Sequence, residues 1–160
     1  MKALFQFLFL FAVVVFVACS GARPVSRTNC LGKVDSMLNV RWGEMRKGSD
    51  TLVGWKLDCS GLISAFDQKI GSAENIKAEY GNISCNELKI MLNRIKRAVL
   101  KIQTLNAPGD TSRFVEFNSP YDGVELRFVW NPKYDTQNSI DFIAIYDTLD
   151  KYRKLLQSEK

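Results

Sequence analysis

Apolar positions Val34, Met37, Leu38, Trp42 and Met45 recur at helical spacing, which predicts a helix over about Lys33–Arg46. A turn-rich run, Lys47-Gly48-Ser49-Asp50, follows it. Leu52, Val53 and Trp55 then lead into a stretch with apolar residues at Leu62, Ile63, Phe66 and Ile70, closed by Gly71. That pattern predicts a short helix with a glycine stop. Gly71 to Gly81 is mixed, with one helical turn read at Glu74–Tyr80. The clearest element is Cys85–Leu105. Ser84 and Glu87 have capping-box spacing, and Leu88, Met91, Ile95, Ala98, Ile102 and Leu105 form one stripe widened by Leu92 and Val99. Lys89, Lys96, Arg97 and Lys101 face mainly elsewhere. This reads as a core helix with a solvated charged side; the functional alternative is a partner helix or a basic binding face.

Asn106-Ala107-Pro108-Gly109-Asp110 breaks that helix. Phe114 to Phe117, and after Ser119–Gly123 the run Val124, Leu126, Phe128, Trp130 set against Glu125 and Arg127, alternate as a hairpin with one buried face. Asn131-Pro132 ends it. Ser139–Gln157 reads as one long helix through Phe142, Ile145, Tyr146, Leu149, Tyr152 and Leu156. A strand over Ile140–Tyr146 followed by a shorter helix is the alternative. The expected class is α+β, with three to four helices packed on a small antiparallel sheet.

The N-terminus changes the picture. Met1-Lys2 precedes sixteen uncharged residues, Ala3 to Ala18, and small residues follow at Ala18-Cys19-Ser20-Gly21-Ala22. This is the form of a secretory signal, and it is shorter than the ~20 residues of a spanning helix. The expected organisation is a signal peptide over 1–18, a tether over 19–30 containing Pro24, and one globular domain over 31–160. Val15-Phe16-Val17-Ala18-Cys19 resembles the lipobox of bacterial lipoproteins, although Phe16 stands where that pattern prefers Leu. The resemblance implies cleavage before Cys19, lipidation of its thiol and, with Ser20 next, sorting to the outer membrane. The alternative is cleavage after Ala22 and plain secretion; in a eukaryotic source Asn82-Ile83-Ser84 would be a glycosylation sequon.

Composition narrows the chemistry. The formal net charge is +5, and +4 once Lys2 is removed with the leader. The surplus reads as modest and spread along the chain, which suits an anionic envelope surface and does not argue for nucleic acid. There is no histidine. The usual general base and the commonest metal ligand are therefore missing, and the four cysteines lack CxxC spacing, so neither a metal nor a cofactor is expected. With Cys19 lost to the leader or to lipid, Cys30, Cys59 and Cys85 remain. One disulfide leaves one thiol: if Cys30 pairs with Cys85, Cys59 is that thiol, and if Cys59 is bridged it cannot be a nucleophile.

Cys59 is the candidate site, because the predicted helix would place it at a helix N-terminus, where the dipole favours a thiolate. Asp58-Cys59-Ser60-Gly61-Leu62-Ile63 resembles the nucleophile motif of NlpC-type peptidases, papain-like cysteine peptidases of bacterial cell walls. A chance Asp-Cys-Ser-Gly is expected in about one chain in a thousand of this length. Arg41-Trp42-Gly43 before it and Pro108-Gly109-Asp110 after it keep the family's order, so the resemblance spans about Leu31 to Trp130. It implies a papain-like fold and a cell-wall partner. The family's histidine falls near Asp122-Gly123, where this chain has none. A cysteine peptidase needs an imidazole to take the thiol proton and return it to the leaving amine. The expectation is therefore an inactive cell-envelope lipoprotein that binds peptidoglycan or an envelope protein. The alternatives are an active cysteine hydrolase with an unusual base and an unrelated secreted interaction module.

Overall fold

The computed structural model describes residues 30–31 and 38–158. The signal peptide, Cys19 and nearly all of the tether lie outside the described residues, as do residues 33–37 of the first predicted helix. Seven strands and two helices follow in the order β1 (Asn39–Arg46), β2 (Thr51–Asp58), β3 (Leu62–Lys69), β4 (Asn75–Asn82), α1 (Cys85–Lys101), β5 (Asn106–Ala107), β6 (Thr111–Ser119), β7 (Val124–Trp130) and α2 (Ile140–Ser158). The strands form one sheet, ordered β4-β3-β2-β1-β6-β7-β5. All neighbours are antiparallel except the two-residue β5, which runs parallel to β7.

This corrects the expected architecture. Three predicted helical stretches are strands: Lys33–Arg46 in its described part, the stretch after Cys59, and Glu74–Tyr80. The expected three to four helices on a small sheet give way to a seven-stranded mixed sheet with two helices among the described residues. The papain-like arrangement falls with it, because Cys59 is followed by a strand. In β1 and β3 the reason is burial on both faces; β4 is an edge strand exposed along most of its length, so it offers no alternation of buried and exposed positions to read. In β3, Leu62, Ile63, Ser64 and Phe66 are all buried, so the period of two that marks a half-exposed strand disappears. Their spacing then imitates a helix. In β1, Val40 and Trp42 face the helices while Arg41, Gly43 and Met45 share the opposite face.

Three other expected elements form. The helix expected over Cys85–Leu105 forms as α1 but ends at Lys101, with Ile102 already extended; Ser84 accepts from the Glu87 N–H and Glu87 accepts from the Ser84 N–H. The hairpin forms as β6 and β7, but with both faces buried rather than one, since Phe114, Val115 and Glu116, like Phe128, Val129 and Trp130, are buried in succession. Ser139–Gln157 is one helix, α2, rather than a strand and a helix.

The helices cover one face of the sheet. Leu88, Met91, Ile95 and Ala98 of α1, with Phe142, Ile145 and Leu149 of α2, pack on Val40, Trp42, Leu57, Ile63, Val115, Phe128 and Trp130. Phe128 stacks on Phe142 with centroids 4.0 Å apart, and Tyr146 meets Trp130 edge-on at 5.9 Å. On the other face the backbones of β1 and β2 come close at Gly43 and Gly54, which pair across the two strands. A Cβ on Gly43 would strike the Val53 carbonyl oxygen and one on Gly54 the Trp42 carbonyl oxygen, so only glycine permits this approach. Phe114 and Phe66 pair with these glycines from the flanking strands and fill the space above them.

Charges close this second face. Glu116, 2% exposed, takes an ion pair from Arg127 at 2.8 Å and a longer one from Arg41 at 3.5 Å. Glu74 lies between Arg41 and Lys56. Arg41 also donates to Gln68 Oε1 at 2.6 Å and stacks over the Phe66 ring. A carboxylate this deeply buried is tolerable because two guanidinium groups face it.

Candidate functional site

Cys59 sits in the loop Cys59-Ser60-Gly61 joining β2 to β3, not at the head of a helix. The loop has the chemistry of a three-residue hairpin connection. The Gly61 N–H donates to the Asp58 carbonyl at 3.0 Å, and Gly61 has φ of 85°. A Cβ there would stand 2.6 Å from the Ile83 carbonyl oxygen. Asp58 Oδ1 accepts three bonds: from the Ser60 N–H at 2.8 Å, from Ser60 Oγ at 2.6 Å and from the Leu62 N–H at 3.1 Å. Asn82 Nδ2 donates to the Ser60 carbonyl from β4 at 3.1 Å. Asp, Ser and Gly of the motif thus each have a turn-forming task.

The electrostatics run against a nucleophile. Burial pushes the Cys59 thiol above its ordinary value, the Asp58 charge pushes it further the same way, and a backbone hydrogen bond opposes them. A helix dipole, which would have favoured the thiolate, is absent from this turn. The place where the resemblance puts a histidine, Asp122-Gly123, is the β6–β7 turn. Asp122 accepts there from Ser119 Oγ at 2.7 Å. It occurs at the same end of the sheet as Cys59, but β1 separates β2 from β6, which sets the two turns roughly 10 Å apart. Pro108-Gly109-Asp110 precedes β6, and its Asp110 carbonyl accepts from the Lys47 N–H, beside the β1–β2 turn.

Cys30 and Cys85 are joined by a disulfide, and Cys59 stands outside it as a thiol. The Cys30 N–H also donates to the Cys59 carbonyl at 3.3 Å. The bridge therefore fastens the incoming chain to two places at once, the Cys59 turn and the first residue of α1. Among the described residues no cluster of three or more Cys, Asp or Glu side chains could hold a metal.

A second feature emerges on α1. Lys89, Arg94, Lys96, Arg97 and Lys101 oppose a single acid, Glu87, which is engaged in the cap. Lys2 supplies one of the chain's five formal charges and α1 a net four; the rest sums to zero, with Arg23 and Arg27 of the tether offset by a net −2 elsewhere. The reading of a surplus spread along the sequence is corrected accordingly. Summing charge element by element would have found this segment; summing over the whole chain hid it. In α2, three acidic and three basic residues balance, and Asp150 is held by Arg153 at 2.7 Å and Lys154 at 2.8 Å.

Compared with protein-family models and with curated protein sequences, the chain matches none.

Proposed function

We propose that this chain is an exported, lipid-tethered protein of the cell envelope whose domain binds and does not cut. The observation that carries the non-catalytic part is the use of the Asp58 carboxylate as acceptor for three donors of its own turn. A motif committed to building a hairpin, with its thiol held protonated and no imidazole in the chain, has no means of delivering a thiolate and recovering the proton. The Cys30–Cys85 bridge supports export, since such bonds persist in oxidising compartments. No helix among the described residues is long and apolar enough to cross a membrane, and the tether reading needs none: its anchor is lipid on Cys19. Outer-membrane or periplasmic residence follows from that anchor, and peptidoglycan or an envelope protein is the partner such placement offers.

Metabolic palmitate labelling tests the anchor. Label should appear on the wild-type chain and disappear in Cys19→Ala; an unlabelled wild-type chain would leave plain secretion. Incubating the purified protein with peptidoglycan stem peptides tests the chemistry. Intact peptides are expected, and cleavage lost in Cys59→Ala would overturn the non-catalytic reading.

A further inference from the structure

The outward side of α1 carries five basic side chains, and it also carries exposed hydrocarbon. Leu100 is 73% exposed and Ile90 48%. Counting about 100° per residue, both fall within about 60° of Arg97 on the helix surface. Lys89 and Lys96 flank this strip on one side, and Arg94 and Lys101 flank it on the other. The buried stripe of Leu88, Met91, Ile95 and Ala98 lies opposite. Among the described residues, Lys89, Lys96 and Arg97 have no carboxylate partner. An apolar strip bordered by long cationic side chains is the surface that enters the boundary between lipid headgroups and acyl chains: leucine and isoleucine go in, and lysine and arginine reach the phosphates.

Beside the strip, a groove of about 460 Å³ runs between α1 and α2, lined by Arg94, Arg97, Lys101, Asp141 and Ala144. Lys101 is paired with Asp141 at 2.8 Å, and Arg94 donates to Thr148 Oγ1 at 3.3 Å. Among the described residues Arg97 bonds through its Nε alone, to the Asn93 carbonyl at 3.4 Å, which leaves its two terminal nitrogens for a phosphate.

We infer that the outward face of α1 docks the domain onto an anionic lipid bilayer, with Leu100 and Ile90 inserted and the flanking cations on the headgroups. The disulfide makes this geometry economical. It joins Cys85, the first residue of α1, to Cys30. Eleven residues separate Cys30 from Cys19 and span at most about 40 Å, more than the roughly 25 Å length of α1. A lipid on Cys19 would hold the entire helix within reach of the membrane. This last point rests on the tethered reading; the surface itself does not.

The test is co-flotation with vesicles, using the full-length secreted form bearing Cys19→Ala so that no lipid contributes. Binding is expected to vesicles of mixed phosphatidylcholine and phosphatidylglycerol and not to phosphatidylcholine alone. It should fade as salt rises from about 0.05 M to about 0.5 M. Replacing Lys89, Lys96 and Arg97 together by Gln should weaken it about a hundredfold, near fivefold per cation. Leu100→Asn should weaken it at unchanged charge, whereas Lys151→Gln with Lys154→Gln on α2 should leave it alone. Circular dichroism melting confirms that each variant is folded. Equal binding to neutral vesicles, no binding to anionic ones, or indifference to the α1 charges would overturn the proposal. So would a silent Leu100→Asn combined with equal binding to soluble polyglutamate, since the face would then be a polyanion site. None of these outcomes depends on whether Cys19 is lipidated.

Discussion

Two stretches of this chain stand out for different reasons, and the structure gives them roles opposite to their appearance. Asp58-Cys59-Ser60-Gly61 is rare as a sequence and looks like chemistry. It is a hairpin loop in which the carboxylate caps the turn, the serine is drawn into it and the glycine supplies its positive φ. The outer side of α1 looks like the solvated back of an ordinary core helix, yet it concentrates the chain's uncompensated charge around exposed Leu100 and Ile90. The difference lies in where the polar groups are spent. In the turn they satisfy one another. On α1, Lys89, Lys96 and Arg97 meet no carboxylate among the described residues, so they are available to something outside the protein. The Cys30–Cys85 bridge connects the two regions.

Removing that bridge should have the largest effect. It closes a loop of 55 residues, and the double replacement of Cys30 and Cys85 by Ala should cost about 4 kcal/mol of stability in equilibrium denaturation. A structural turn makes the next predictions. Gly61→Val should cost at least about 2 kcal/mol, from the left-handed backbone and the Ile83 carbonyl together. Asp58→Ala should cost about 1–3 kcal/mol, because it strips one acceptor from three partly buried donors. Cys59→Ser should cost less than either in the same melts, an ordering that a motif built around its thiol would reverse.

Acid–base behaviour separates the regions further. A raised folded-state value means that the native chain holds the Cys59 proton more tightly than the unfolded chain. Its contribution to stability is complete below the ordinary thiol range and is lost as pH climbs through the raised value. Alkylation by iodoacetamide near pH 7 should accordingly be slower in the native protein than in denaturant, and should accelerate toward alkaline pH. Glu87 has the opposite sign: the Ser84 hydroxyl and backbone N–H hold its carboxyl below its usual value. Its contribution is present above the ordinary carboxylate range and disappears as pH falls through the lowered value, so Glu87→Gln should flatten the acid limb of the stability curve. The smallest change is expected on α1's outer face. Exchanging Lys89, Lys96 and Arg97 for Gln should alter stability by no more than about 0.5 kcal/mol.

Much of the architecture was legible where local signals agreed. The Ser84–Glu87 cap and the stripe from Leu88 to Ala98 mark α1 without ambiguity, and the alternation through Phe128 and Trp130 marks β7. Legibility failed in β1 and β3, where both faces are covered. Ile63 is buried toward the helices and Phe66 on the other face, so their spacing imitates a helix, and Ile70, which completes that pattern, lies past the strand and is exposed. Covering of both faces arises from pairing and packing between distant strands and helices, which no local window contains. The turn was readable in principle: an Asx residue, a serine and a glycine between two apolar runs is a hairpin signal, and the peptidase likeness drew attention from it. The α1 surface was visible as composition, but which of its cations meet a carboxylate, Lys101 with Asp141 of α2 and not Lys89, Lys96 or Arg97 among the described residues, required the packing of α2.

The most direct measurement places an environment-sensitive nitrobenzoxadiazole label at Leu100→Cys, and separately at Lys151→Cys on α2, in full-length protein carrying Cys19→Ala and Cys59→Ser. On phosphatidylglycerol-containing vesicles the Leu100 label should shift to the blue and brighten, as a probe entering hydrocarbon does, while the α2 label should stay as it is in buffer. Equal shifts at both positions, or none at Leu100, would contradict the assignment of α1 as the surface through which this protein works.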